Sequence, residues 1–298
     1  MIKSLFTIAA VLMLLLVCNI IIYFNKDYTS FFNNNKGNIS EVNEKVYEKN
    51  DKAVKYSILL KSDKHYEIDG YLRVPEKKKK TYPALILLGG IQTGKKIIDL
   101  VGDVAYADSV IFISMDYPYK GKKKFKGLEI FGSINKIRSA IFNSVSGILL
   151  TLDYLHSRDD IDKDKIFVAG ISFGGFSATV AAGIDDRIKA ANIVYCGGDI
   201  KDLLIQNMII NKDINNKTLI KIVGNFSYLL IRPAEPLFYI DKISPQPILM
   251  INGKDDERVP YSSAVKLYDK AKEPKDIIWF DTEHIHPSKS VIEKLAIL

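Results

Sequence analysis

Cysteine is almost missing from this chain, with two in 298 residues. That excludes a small disulfide-stapled fold and a cysteine-rich zinc module. Arginine is scarce too: six of the 42 basic residues, the rest being lysines scattered along the sequence under a net charge of +7. A nucleic-acid surface would cluster arginine and aromatics on one element, so this charge reads as solubility and no nucleic-acid partner is expected. Histidine occurs four times, at His65, His156, His284 and His286, which leaves few candidates for a catalytic base. No internal repeat is present. What remains, 47% hydrophobic and 26% charged residues, is ordinary globular composition and excludes wholesale disorder.

One long hydrophobic run does stand out. Leu5 to Phe24 carries no charged residue. Twenty helical residues at 1.5 Å each span about the 30 Å hydrocarbon core of a bilayer. No small-residue cleavage site follows, and Leu15, Leu16 and Val17 before Cys18 are too bulky for lipoprotein processing, so the run is expected to be an uncleaved anchor. Lys3 and the free amine place the N-terminus inside and the remainder extracytoplasmic. Residues 1–26 are then an N-terminal transmembrane helix. Residues 27–52, rich in Asn, Lys, Ser and Glu, are expected to be a polar linker, and residues 53–298 the folded domain.

Beyond Val54, short apolar runs alternate with segments of helical spacing. Val54–Leu60 and Tyr66–Val74 read as a pair of strands. Pro83–Leu88, Val110–Met115, Lys165–Ala169, Ala190–Tyr195, Ile248–Ile251 and Ile277–Phe280 read as further strands. Between them, helices are expected over Lys95–Asp108, Ile134–Leu155, Phe173–Ala182 and Ser262–Ala271, with a last one over Ser288–Leu295. Strand–helix alternation implies a mainly parallel sheet covered on both faces, an α/β fold. Residues 199–240 interrupt the rhythm and are expected to be a cap insertion. Its Leu203, Leu204, Phe226, Tyr228, Leu229 and Leu230 suit the cover of an apolar site equally with plain packing onto the core.

The sharpest motif is Gly170-Ile171-Ser172-Phe173-Gly174, set between a strand and a helix. A tight strand-to-helix turn thrusts the serine oxygen out above the sheet, and the following helix N-terminus favours negative charge beside it. A serine nucleophile needs a base, and the order serine, acid, histidine leaves His284 and His286. His284 is preferred, because His286 precedes Pro287, where the chain turns into the last helix. The acid is expected after Ile248–Ile251, where Asp255, Asp256 and Glu257 compete and spacing does not choose between them. Oxyanion donors are expected from the N–H of Phe173 and, in the Gly89-Gly90-Ile91 turn, of Ile91. As a nucleotide-binding P-loop that turn is a weak match, since Lys96 stands where Ser or Thr is required.

From Val54 onward the sequence resembles the α/β-hydrolase superfamily, most of all its prolyl-oligopeptidase-like and small-esterase branch. The resemblance rests on the approach Asp160–Ile166 to the serine turn, on Asp185–Ala190, on Gly253-x-x-Asp256-x-x-Val259-Pro260, on His284-Ile285-His286-Pro287, and on Asp116-Tyr117-Pro118-Tyr119. It implies a Ser172–His284–Asp256 triad and a substrate pocket shaped by Tyr117 and Tyr119, with no metal and no cofactor. The implied activity is that of a membrane-anchored serine hydrolase cleaving carboxylic esters through an acyl-enzyme. Two alternatives are a peptidase of the prolyl-oligopeptidase type acting on short peptides, and a catalytically silent binding protein on the same fold. This sequence departs from the branch at Gly89, where many members carry histidine, and in lacking glycine before His284.

Overall fold

The computed structural model describes residues 11–15, 17–19, 21–23, 26–77, 79–102, 104–119, 132–211 and 216–284. One nine-stranded sheet organises them: β1 (Ile39–Lys49), β2 (Ala53–Ser62), β3 (Glu67–Pro75), β4 (Tyr82–Leu88), β5 (Ile111–Met115), β6 (Ile161–Ile171), β7 (Ala191–Val194), β8 (Ile248–Gly253) and β9 (Lys275–Phe280). Their spatial order is β1-β2-β3-β5-β4-β6-β7-β8-β9. The first three strands run as an antiparallel meander that joins β5 antiparallel, and β5, β4, β6, β7, β8 and β9 are mutually parallel. This is the α/β-hydrolase arrangement, a mostly parallel sheet, as expected.

Strand periodicity explains both faces. In β4, Ala84, Ile86 and Leu88 enter the larger core, while Leu85 and Leu87 enter a second core on the opposite face. Every residue from Ala84 to Leu88 is buried, which is why the run is apolar without alternation. Each such Leu or Ile contributes about 1.5–3 kcal/mol by leaving water. The helices α2 (Ile134–Ser157) and α3 (Phe173–Ala182) bury Val145, Ile148, Leu149, Leu152, Ala178 and Ala181 on the larger core.

Two expectations fail for physical reasons. Residues 27–52 are not a featureless linker. α1 (Thr29–Lys36) buries Phe32 completely, against Phe31, Phe142 and Tyr239, and β1 is the outermost strand of the sheet. β1 is exposed at almost every position, so no apolar alternation betrays it; its charges and polar groups suit an edge that must not pair with another chain. Tyr154 Oη and Arg158 Nη1 donate to Glu44 at 2.6 and 3.2 Å and tie β1 to α2.

Lys95–Asp108 is not an α-helix but a 3₁₀ segment, Gly94–Leu100, followed by turns. Ile98, Val101, Val104 and Ala107 recur every third residue, and the N–H groups of Val101, Val104 and Ala107 each bond three residues back. A period of three buries one face in 3₁₀ geometry, where an α-helix would rotate these residues out of line.

The cap consists of α4 (Ile200–Ile210) and α5 (Lys217–Ile231), followed by short 3₁₀ turns to Lys242. Ile205, Met208, Leu219, Ile220 and Val223 form its own small core. α6 (Tyr261–Lys270) completes the described helices. Among the described residues no helix is long and apolar enough to cross a membrane. Residues 1–10 and Leu16, Ile20 and Phe24 of the apolar run lie outside them, as do His286 and the helix expected over Ser288–Leu295.

Candidate active site

Ser172 stands at the junction of β6 and α3, with φ +56°, a backbone conformation that L-residues rarely adopt. It is held there by its N–H, which donates to the Val194 carbonyl of β7 at 2.8 Å, and by its carbonyl, which accepts from Gly175 N at 2.9 Å. The turn leaves no space for side chains. A Cβ at Gly170 would strike the Gly174 carbonyl, and one at Gly174 would lie 2.5 Å from the Leu88 carbonyl. The glycines therefore let the turn lie directly on the end of β4.

His284 lies just beyond β9, and Asp256 in the loop after β8. The three side chains are in hydrogen-bond reach: His284 Nε2 is 3.1 Å from Ser172 Oγ, and His284 Nδ1 is 2.6 Å from Asp256 Oδ2. The carboxylate only accepts, so Nδ1 carries the proton, and Nε2 is left to accept the hydroxyl hydrogen of Ser172. Asp256 is 3% exposed, and its other oxygen accepts from Arg258 N at 2.9 Å and Val259 N at 2.8 Å. Those two backbone donors compensate the buried charge and orient it. Asp255 and Glu257 are both exposed. Three-dimensional burial thus separates the three carboxylates that spacing left equivalent.

Two residues unremarked in the sequence support the histidine. Tyr195, directly after β7 with φ +47°, sets its ring edge-on to His284 at 5.7 Å. Its hydroxyl lies 3.3 Å from Thr282 Oγ1, and Thr282 O accepts from Asp255 N at 3.2 Å. The one available signal was position: Tyr195 follows the carboxyl end of a central parallel strand, where ligands of open α/β sheets gather.

Phe173 is the first residue of α3, and Ile91 lies in the turn after β4. Gly90 reaches close to the serine, and a Cβ placed on it would stand 3.9 Å from Ser172 Cβ. Ile91 is 71% exposed, an open apolar rim and not a packed residue. Tyr117 joins the two segments. Its hydroxyl donates to the Gly89 carbonyl and its ring meets Phe173 edge-on at 4.7 Å. Burial, with Asp116 nearby, pushes the Tyr117 phenol well above its usual pKa, so it remains a donor. Asp116 fixes the same turn from below by accepting Lys95 N at 2.9 Å and pairing with Lys95 Nζ at 3.3 Å. Tyr119 follows in this loop, half-buried.

Cys196 is fully buried under Gly175, and burial pushes its thiol well up, so it is not a reactive thiol. His65 stands in the β2–β3 turn and His156 near the end of α2, outside the relay. Among the described residues no group of His, Cys, Asp and Glu has the geometry to hold a metal.

Fold and comparisons define a member of the α/β-hydrolase superfamily. Within it, the chain belongs to the acetyl xylan esterase (AXE1) family, whose model matches residues 21–196. The model of the prolyl oligopeptidase family matches residues 142–286. Among curated proteins, "Uncharacterized protein YfhR" of Escherichia coli O157:H7 is 28% identical over 171 residues, 57% of this chain and 52% of that one. The chain thus spans about half the length of the curated relatives it matches. Acetyl xylan esterase 1 from Thermoanaerobacterium sp. JW/SL YS485 superposes with TM-score 0.68 at 17% identity, covering 91% of this chain and 92% of that one. The acetyl xylan esterase of Paenibacillus sp. R4 gives 0.66 at 16%, covering 88% and 90%. At such identities these two establish the shared fold.

Proposed function

We propose that this protein is a serine esterase, held at a membrane by its N-terminal segment, that hydrolyses carboxylic esters of short acyl groups. The observation that carries this reading is the unbroken line from Ser172 Oγ through His284 to the buried Asp256 carboxylate. Ser172 Oγ attacks the ester carbonyl while His284 Nε2 takes its proton. The carbonyl oxygen becomes an oxyanion, stabilised by the N–H groups of Phe173 and Ile91 and by the N-terminus of α3. Collapse breaks the bond to the alcohol, which leaves with the proton from His284. Water then attacks the acyl-serine, giving its proton to His284, and the acid departs as Ser172 is restored. Asp256 holds the imidazole tautomer and stabilises the imidazolium at both steps. Membership of the acetyl xylan esterase family favours acetyl and similarly small acyl groups. Tyr117 and Tyr119 are assigned to the acyl side.

The anchoring rests on Leu5–Phe24, whose described residues are helical and present Leu12, Met13, Leu14 and Ile22 to the outside. Lys3 ahead of the run supports an extracytoplasmic catalytic domain.

A second reading, peptide hydrolysis, is favoured by the match to the prolyl oligopeptidase family. Full-length protein in detergent, treated with a fluorophosphonate, should carry the adduct on Ser172 in a peptide map. It should turn over p-nitrophenyl acetate faster than longer-chain esters. Faster cleavage of a prolyl peptide amide than of any ester would replace esterase by peptidase. Absence of the adduct on folded protein would leave the binding-protein alternative.

A further inference from the structure

We propose that α5 is a second membrane contact: its outer face lies in the headgroup–acyl boundary of the bilayer that receives the N-terminal segment. The inference rests on the anchor reading and adds to it a docking surface on the cap.

α5 turns Ile220, Val223, Gly224, Ser227 and Ile231 inward. Its opposite side carries Ile222, Phe226 and Leu229, which are 59%, 45% and 40% exposed. Spacings of four and three put these on one stripe along the helix. A water-soluble cap has no use for three large apolar side chains in line on its outer face. Ile209, at the end of α4, is 47% exposed as well.

The occupant is indicated by what α5 joins. The apolar N-terminal segment meets its last turn. Tyr23 Oη donates to the Leu229 carbonyl, and Arg232 Nη1 donates to the Tyr23 carbonyl at 3.4 Å, with its guanidinium 5.9 Å from the Tyr23 ring. A segment entering a bilayer at Tyr23 brings the bilayer surface to Leu229.

Charge agrees. No carboxylate occurs between residues 216 and 234, whereas Lys217 and Lys221 are exposed on α5. Beside the base of the segment, a cavity of about 370 Å³ is lined by Lys26, Arg232, Lys242 and Lys270 against Asp27 and Asp241. An apolar stripe flanked by cations is the pattern of a helix lying on anionic lipid, and it disfavours a second apolar protein surface as partner.

Three forms of the full chain, each with one accessible thiol, test this. One carries an environment-sensitive dye on native Cys18, which is exposed while Cys196 is buried. The others combine Cys18→Ser with Phe226→Cys or with Lys45→Cys. Each is first shown to label at Ser172 with a fluorophosphonate, then reconstituted into phosphatidylcholine–phosphatidylglycerol vesicles containing chain-labelled doxyl lipid. Dyes at 18 and 226 should lose most of their emission, and the dye at 45 should keep it. Quenching at 18 with none at 226 overturns the docking face and leaves the anchor standing. Quenching at neither removes both. A dye at 226 shielded from doxyl lipid and from aqueous iodide, in a protein that cross-links as a dimer, assigns the stripe to a second copy and overturns the proposal.

Discussion

The Tyr117 ring stands edge-on to Phe173 at 4.7 Å while its hydroxyl bonds to the Gly89 carbonyl, so one side chain braces both segments to which the oxyanion donors are assigned in the proposed mechanism. Removing only the hydroxyl should loosen the Gly89–Ile91 turn and leave the ring contact. Tyr117→Phe is therefore expected to lower kcat about tenfold, the effect of roughly one hydrogen bond, with KM nearly unchanged. Steady-state kinetics on an acetyl ester read this directly. An equal rise in KM at constant kcat would show that the Tyr117 hydroxyl serves substrate binding and not the turn.

Asp256 accepts from His284 and from two backbone amides, so an amide in its place inverts one of those bonds. Asp256→Asn should favour the wrong imidazole tautomer and reduce kcat on the order of 10³–10⁴-fold. Asp255→Asn and Glu257→Gln, at exposed positions, should stay within about twofold of the parent. Comparing the three in one assay checks the assignment.

Gly174 has no space for a methyl group, because the Leu88 and Gly89 carbonyls close over it. Gly174→Ala should push α3 away from the end of β4. A loss of about 1–3 kcal/mol in urea unfolding is expected, with fluorophosphonate labelling slowed beyond what the stability change explains.

Asp185 lies beside Arg187, with Nε and Nη2 donating to its two oxygens at 2.9 and 2.6 Å, and Arg187 Nη2 also reaches Asp153 at 2.8 Å. Burial pushes the Asp185 carboxyl up, but the guanidinium and the Arg187 N–H outweigh it and hold the pKa below the usual 3.8. A depressed native pKa adds stability above the unfolded-state value, and that stability is lost as pH falls through the native one. Asp185→Asn should lower stability at pH 7. The gap from the parent should close on acidification below about pH 4. Melting temperatures between pH 7 and pH 3 measure it.

Much of this protein is written locally. The turn around Ser172 is legible because strand, Gly-x-Ser-x-Gly and small-residue helix are contiguous. Phe173–Ala182 begins and ends where the sequence puts it. The parallel strands are legible because burial on both faces forces unbroken apolar runs, and the order of serine, acid and histidine follows from the positions of these strands. Other features depend on atoms distant in sequence. β1 carries no apolar face, and only the ladder it makes with β2 defines it. The threefold spacing of Ile98, Val101, Val104 and Ala107 is on the page, but its preference for 3₁₀ geometry over an α-helix follows from the core it must line. Asp255, Asp256 and Glu257 are chemically alike and adjacent. Folding buries only Asp256, gives its second oxygen two amide donors and brings His284 to its first, because the loops after β8 and β9 meet above parallel neighbouring strands. Local sequence thus determined which chemistry was available; the tertiary structure decided which carboxylate is desolvated and within reach, a property of the assembled loops that no single segment carries.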